Sequence, residues 1–165
     1  MTSHRFLPTT SIIGAIIGAS LIFSACGGDG TQTVTVQHGA VPKPVYIDLG
    51  EEGASVGDQR IFHFDGTSND ITVSMDWVMT TTGIDSPEAG VETRVTNAVM
   101  LFGGLDDSLL LEGTGWYPGG DATFKVSSTL VRAIIGGTGK YAGARGWVES
   151  TRNDDDSWTH VFHIE

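Results

Sequence analysis

After residue 45 no 12-residue window keeps apolar side chains at i, i+3 and i+4 spacing, whereas two-residue alternation returns along the whole chain. A side-chain period of two belongs to strands with one buried face. Ile71-Thr72-Val73-Ser74-Met75-Asp76-Trp77 alternates apolar and polar, and Glu92 to Phe102 is a β-branched run that turns apolar. Leu109 to Tyr117, Phe124 to Ile135, Ala144 to Arg152 and Trp158 to Ile164 read as further strands. Turn chemistry separates the runs: Asp65-Gly66, Gly103-Gly104-Leu105-Asp106-Asp107, Pro118-Gly119-Gly120-Asp121 and Asn153-Asp154-Asp155-Asp156. The 165 residues fit one domain. A strand-rich domain of that size leaves sticky edges unless its sheet closes. The pattern therefore predicts an all-β domain over residues 45–165, an antiparallel sandwich or barrel, with closure of the sheet preferred.

The first 25 residues read as a secretory signal peptide rather than as fold. Arg5, with His4, gives a weak positive start, and Ser11 to Phe23 forms an apolar core. That core is shorter than the roughly 20 residues a spanning helix needs. Leu21-Ile22-Phe23-Ser24-Ala25-Cys26 resembles a bacterial lipobox, and the single Cys of the chain stands at its end. The resemblance implies cleavage before Cys26 and lipid on its thiol. The protein is then exported and held on the outer face of the bacterial cell membrane, or on a periplasmic membrane face. An uncleaved anchor with an incidental Cys is the alternative. Residues 26–44 are rich in Gly, Thr, Gln and Val and close with Pro42 and Pro44, so they read as a flexible tether.

Charge and motif content remove several function classes. The net charge of -11 and the lack of a basic stripe speak against nucleic-acid binding. One Cys excludes an internal disulfide and a multi-Cys metal site. No GxSxG, HExxH or complete GxxxxGK is present. Asp154-Asp155-Asp156 lacks the spaced ligands of a calcium loop and reads as a solvated turn.

The most specific stretch is Ala133-Ile134-Ile135-Gly136-Gly137-Thr138-Gly139-Lys140-Tyr141-Ala142-Gly143-Ala144-Arg145-Gly146. It resembles the strand–turn–strand signature of dirigent proteins and allene oxide cyclases, and of the bacterial spirotetronate-type polyketide cyclases (Diels-Alderases). Val56 to Gly66 resembles the first barrel strand of that superfamily, and Asp106 to Trp116 a middle hairpin. The resemblance implies an eight-stranded antiparallel β-barrel of calycin type with a mostly apolar lumen, no metal and no organic cofactor. It also makes a homo-oligomer plausible by analogy. The pocket acids of the plant relatives have no matched residues here, and one such position corresponds to Thr123.

Matching the glycine turn to the family selects one face of each flanking strand. It places Val126, Ser128, Leu130 and Arg132 before the turn in the lumen, with Val148, Ser150 and Arg152 after it. The first strand would present Gln59, Ile61 and His63. Ala98, Met100, Leu111 and Tyr117 follow, and Met75, Trp77 and Met79 join them by apolarity. Trp158, His160 and Phe162 share a face of the last strand. Arg145 falls outside and reads as structural. Arg132 lies in an apolar run, where an unpaired charge is costly. It faces outward, pairs with an acid such as Asp76 or Glu112, or holds a substrate oxygen.

Two functions fit this reading. The first is a cofactor-independent cyclase or isomerase of a flexible apolar polyketide or polyether precursor, with an intramolecular [4+2] cycloaddition guided by confinement. Arg132, Tyr117 and His63 would then be catalytic donors, and Gln59, Trp77, Met100, Leu130, Ser150 and Arg152 would contact substrate. The second is a lipid-anchored barrel that binds or carries a small hydrophobic ligand without chemistry. A structural or protein-partner lipoprotein is a third possibility. The first two require a bore wide enough for a guest.

Overall fold

A computed structural model describes residues 30–120 and 123–165. Nine strands follow one another: β1 (Gln32–His38), β2 (Val45–Ile47), β3 (Gln59–Ser68), β4 (Ile71–Ile84), β5 (Val91–Phe102), β6 (Ser108–Pro118), β7 (Ser128–Thr138), β8 (Gly146–Arg152) and β9 (Trp158–Ile164). Consecutive strands from β3 to β9 pair antiparallel. β1 pairs with β9 along its length and touches β3 at Gln37 opposite Thr67, which closes an eight-stranded antiparallel barrel. β2 is an extra strand on the outer part of β3. A single 3-10 turn, Gly139–Tyr141, is the one helical element among the described residues.

The expected architecture is present, but its first stave comes from the segment read as tether. Residues 32–38 are β1, with Val36 fully buried and His38 at the edge of the core. Thr33, Thr35 and Gln37 face outward while Val34, Val36 and His38 face inward. Three polar residues in alternation with a short inner face resemble a linker by composition. Pairing to β9 is what makes the segment a strand. The expected signal sequence and Cys26 lie outside the described residues.

The Asp65-Gly66 turn is a second correction. Both residues lie inside β3, and the β3–β4 hairpin turns at Asn69-Asp70. These have φ of 47° and 66°, the conformation of a tight two-residue hairpin. The expected glycine motif is indeed a corner. Gly139 has φ of +56°, and a Cβ there would collide with the Asp107 carboxylate and the Asp106 carbonyl. Arg145 is exposed, as expected for the outer face.

One end of the barrel is plugged. Phe102 packs 4.8 Å from Tyr141 and 6.2 Å from Phe162, ring centre to ring centre. Val73, Met75, Met100 and Leu109, all fully buried, fill the bore behind them. The other end carries the recess described next.

Candidate functional site

The inward faces of β3, β4, β6, β7 and β9, together with His38 and the segment after β6, converge on one recess. Phe62, Phe64, Trp77, Met79, Tyr117, Arg132, Trp158 and His160 form its strand-borne wall; Val41 and Phe124 lie across the mouth. The free space within the recess is about 20 Å³. That is room for one or two water molecules. The wide apolar bore expected from the sequence is therefore largely filled by the protein's own aromatic side chains. Phe124 packs edge-on against Trp158 at 4.8 Å and beside Tyr117 at 6.2 Å.

Arg132 is the chemical centre of this recess. It is 2% exposed and its guanidinium lies 4.8 Å from the centre of the Trp77 ring. Nη2 donates to the Tyr117 hydroxyl at 2.8 Å, while Nε and Nη1 meet no hydrogen-bond acceptor among the described residues. The Trp77 indole N–H is likewise without an acceptor there. Neither Asp76 nor Glu112 reaches Arg132, since both side chains face outward on their strands. Burial pulls the Arg132 pKa down from its ordinary value, and Tyr117 opposes that shift. The local sequence makes room for the side chain. Gly113 faces Arg132 on the neighbouring strand, and a Cβ there would stand 2.9 Å from the Arg132 Cγ. Any larger residue would push the guanidinium out of the bore.

A second buried cluster stands beside Tyr117. Glu92 accepts from Arg94 Nε at 3.0 Å and lies 3.2 Å from Arg60 Nη2. Its other oxygen accepts from the Gly120 backbone N–H at 3.0 Å. Burial alone would raise the Glu92 pKa; the Gly120 N–H and the two guanidiniums outweigh it and hold the carboxyl below its ordinary value. Arg94 in turn lies 4.6 Å from the Tyr117 ring centre. Tyr117 thus links the Glu92 cluster to Arg132.

The third feature is a histidine pair. His38 Nδ1 donates to the Gly39 carbonyl at 2.6 Å, which leaves its Nε2 as an acceptor. His160 Nε2, 3.0 Å away, must donate to it, and His160 Nδ1 then accepts from the Ser150 hydroxyl at 2.8 Å. With both rings neutral every hydrogen bond of this chain is made. Burial pushes the His160 pKa well below its ordinary value, with His38 and Arg132 adding to the shift. Burial also lowers His38, although its bond to Gly39 opposes this.

Among the residues expected at the site, Arg132, Tyr117 and Trp77 meet in the recess. Ser150 is fully buried but acts through His160. Met100 sits in the packed core and Leu130 is half-buried against it. Gln59, Ile61 and His63 take the outer face of β3, and the His63 side chain is 70% exposed beside Asp76. The inner face is Arg60, Phe62 and Phe64; two phenylalanines on one parity are the signal that the family-based register overrode. Val126 is exposed rather than luminal, because Ser127 has φ of 58° and β7 begins only at Ser128. Alternation does not carry across that break. Arg152 sits at the rim, paired with Asp156 and donating from Nη1 to the Phe124 carbonyl at 2.8 Å. His38, Arg60, Glu92 and Arg94 were not among the expected site residues. His38 fell in the supposed tether, and the others are charges in strands, which pattern reading assigns to solvent.

No family profile and no curated protein sequence matches the chain. A solved structure named "Pyocyanin demethylase" superposes with a TM-score of 0.58 at 18% sequence identity, covering 82% of this chain and 100% of that one. At that identity the likeness is one of fold alone.

Proposed function

We propose that the recess around Arg132 is the working site. It binds a flexible, largely apolar precursor of polyketide or polyether type and guides ring closure without a cofactor, most simply by intramolecular [4+2] cycloaddition. In that step two carbon–carbon σ bonds form at the expense of two π bonds, and no atom or electron leaves the substrate. The protein would supply two things. Aromatic walls hold the chain in its reactive conformer and so prepay entropy. The Arg132–Tyr117 pair donates to a carbonyl oxygen of the substrate and stabilises charge that develops there. The observation that carries the reading is a buried guanidinium with two N–H groups unmatched, set in an aromatic recess. The structural neighbour, a barrel of this shape, bears an enzyme's name, which is compatible with catalysis in such a bore. With Cys26 lipidated, the barrel would work at a membrane surface, where an apolar substrate concentrates.

The narrowness of the free space favours a second reading, in which the barrel only carries a small ligand. A linear diene–dienophile precursor separates the two. Incubated with the full chain, it should yield an isomer of identical mass and altered chromatographic retention. Formation should slow at least about tenfold in Arg132→Gln, the weight of one charge-assisted hydrogen bond. Unchanged retention alongside saturable binding would replace the cyclase with the carrier.

A further inference from the structure

The buried charges among the described residues do not balance. Among the described residues three guanidiniums are buried, those of Arg60, Arg94 and Arg132, against the two carboxylates of Asp58 and Glu92. Glu92 serves Arg60 and Arg94, and Asp58 lies on the Arg60 side, accepting from Tyr46, Leu49 and Ser55. The surplus positive charge is Arg132. This occurs in a chain whose net charge is -11, with acids in ample supply along the surface. An isolated buried cation is among the costliest groups a fold can hold. The neighbouring histidine pair cannot offset it, since an imidazole is either neutral or positive.

We infer that the ligand of this recess is an organic anion, with a carboxylate or enolate oxygen held by an unmatched N–H of Arg132, at Nε or Nη1, and an apolar body extending past Phe124 and Trp158 to the mouth. The inference rests on the recess being the ligand site and adds the charge of the ligand. Tyr117 takes an N–H of Nη2, so the charge-assisted bond to the ligand falls to Nε or Nη1, whose N–H groups point to different sides of the guanidinium. The acidic exterior would slow the approach of an anion. Selectivity therefore comes from the interior alone, through a low dielectric and a fixed donor set.

The test uses sorbate, a small diene carboxylate, and its methyl ester, titrated calorimetrically into the full-length chain. Sorbate should bind at least about tenfold more tightly than the ester, the usual weight of a charge-assisted contact. That preference should fall below about threefold in both Arg132→Gln and Arg132→Met, with circular dichroism verifying the barrel in each. Arg152→Gln, at the rim, should leave it intact. Equal binding of acid and ester overturns the anion while leaving the recess as a ligand site. A preference that survives both Arg132 substitutions, or that vanishes in Arg152→Gln, overturns the assignment to Arg132. Binding of neither probe overturns the inference together with the reading beneath it.

Discussion

Arg132 Nη2 stands 2.8 Å from the Tyr117 hydroxyl, and among the described residues that is the one hydrogen bond of a guanidinium that is 2% exposed. Tyr117→Phe would remove it and leave a third edge of the cation unmatched. The expected loss is about 1–3 kcal/mol. Urea unfolding of the two proteins measures it, and a loss below about half of one kcal/mol would mean that the hydroxyl does not support the arginine.

Arg132→Met should behave oppositely. Replacing a buried charge by an apolar side chain of similar reach is often neutral or stabilising, by about 1–4 kcal/mol. We expect an unchanged or higher urea midpoint in ligand-free protein, together with weakened binding of an anionic probe. A large destabilisation would identify Arg132 as a structural strut.

Glu92 differs from Arg132 in being fully matched, with both guanidiniums and the Gly120 N–H on its two oxygens. Glu92→Gln removes the carboxylate charge that Arg60 and Arg94 both contact, which costs about 3–5 kcal/mol. Glu112→Gln, on the outer face of β6, should fall within about half of one kcal/mol of wild type. Similar midpoints for the two variants would show that the buried cluster is not electrostatically coupled.

The histidine pair sets a pH dependence. His38 and His160 have folded-state pKa values below the ordinary 6.5, burial being the main cause. The unfolded chain therefore binds more protons in that range, and stability rises with pH. Their contribution is complete above about pH 6.5 and is lost as the pH falls toward the folded-state values. The charged group facing the pair is Arg132, which disfavours protonation further. His63 has the opposite sign, since Asp76 raises its pKa; its contribution is present at low pH and lost as the pH rises through the raised value. Unfolding midpoints between pH 7.5 and about 5 should fall steeply in wild type and flatten in His160→Gln. Parallel curves would remove the pair as the origin of the slope.

β1 supplies a test of closure. Val36→Asp puts a carboxylate at a fully buried position between β3 and β9. It should cost several kcal/mol and collapse the cooperative transition. A mild effect, comparable to that of an exposed Thr35→Asp, would mean that the barrel stands without its first stave.

Fold class was readable from the sequence because a two-residue period is a local property, visible on β4 and β9 without knowing their partners. Closure followed from the edges such strands would otherwise expose, and the glycine corner from backbone conformations few other residues adopt. Arg132 stood out for the same local reason, a charge inside an apolar run. What alternation cannot supply is register, since a one-residue slip exchanges the faces; Gln59, Ile61 and His63 were assigned inward and turned outward on that account. Residues 32–38 carry too little apolar content to declare themselves a strand, and only pairing with β9 makes them one. Long-range packing also set the width of the recess, because Phe124 and Trp158 are 34 positions apart and fill it together. The surplus of buried positive charge likewise emerged only in three dimensions, where each arginine could be placed beside, or apart from, a carboxylate.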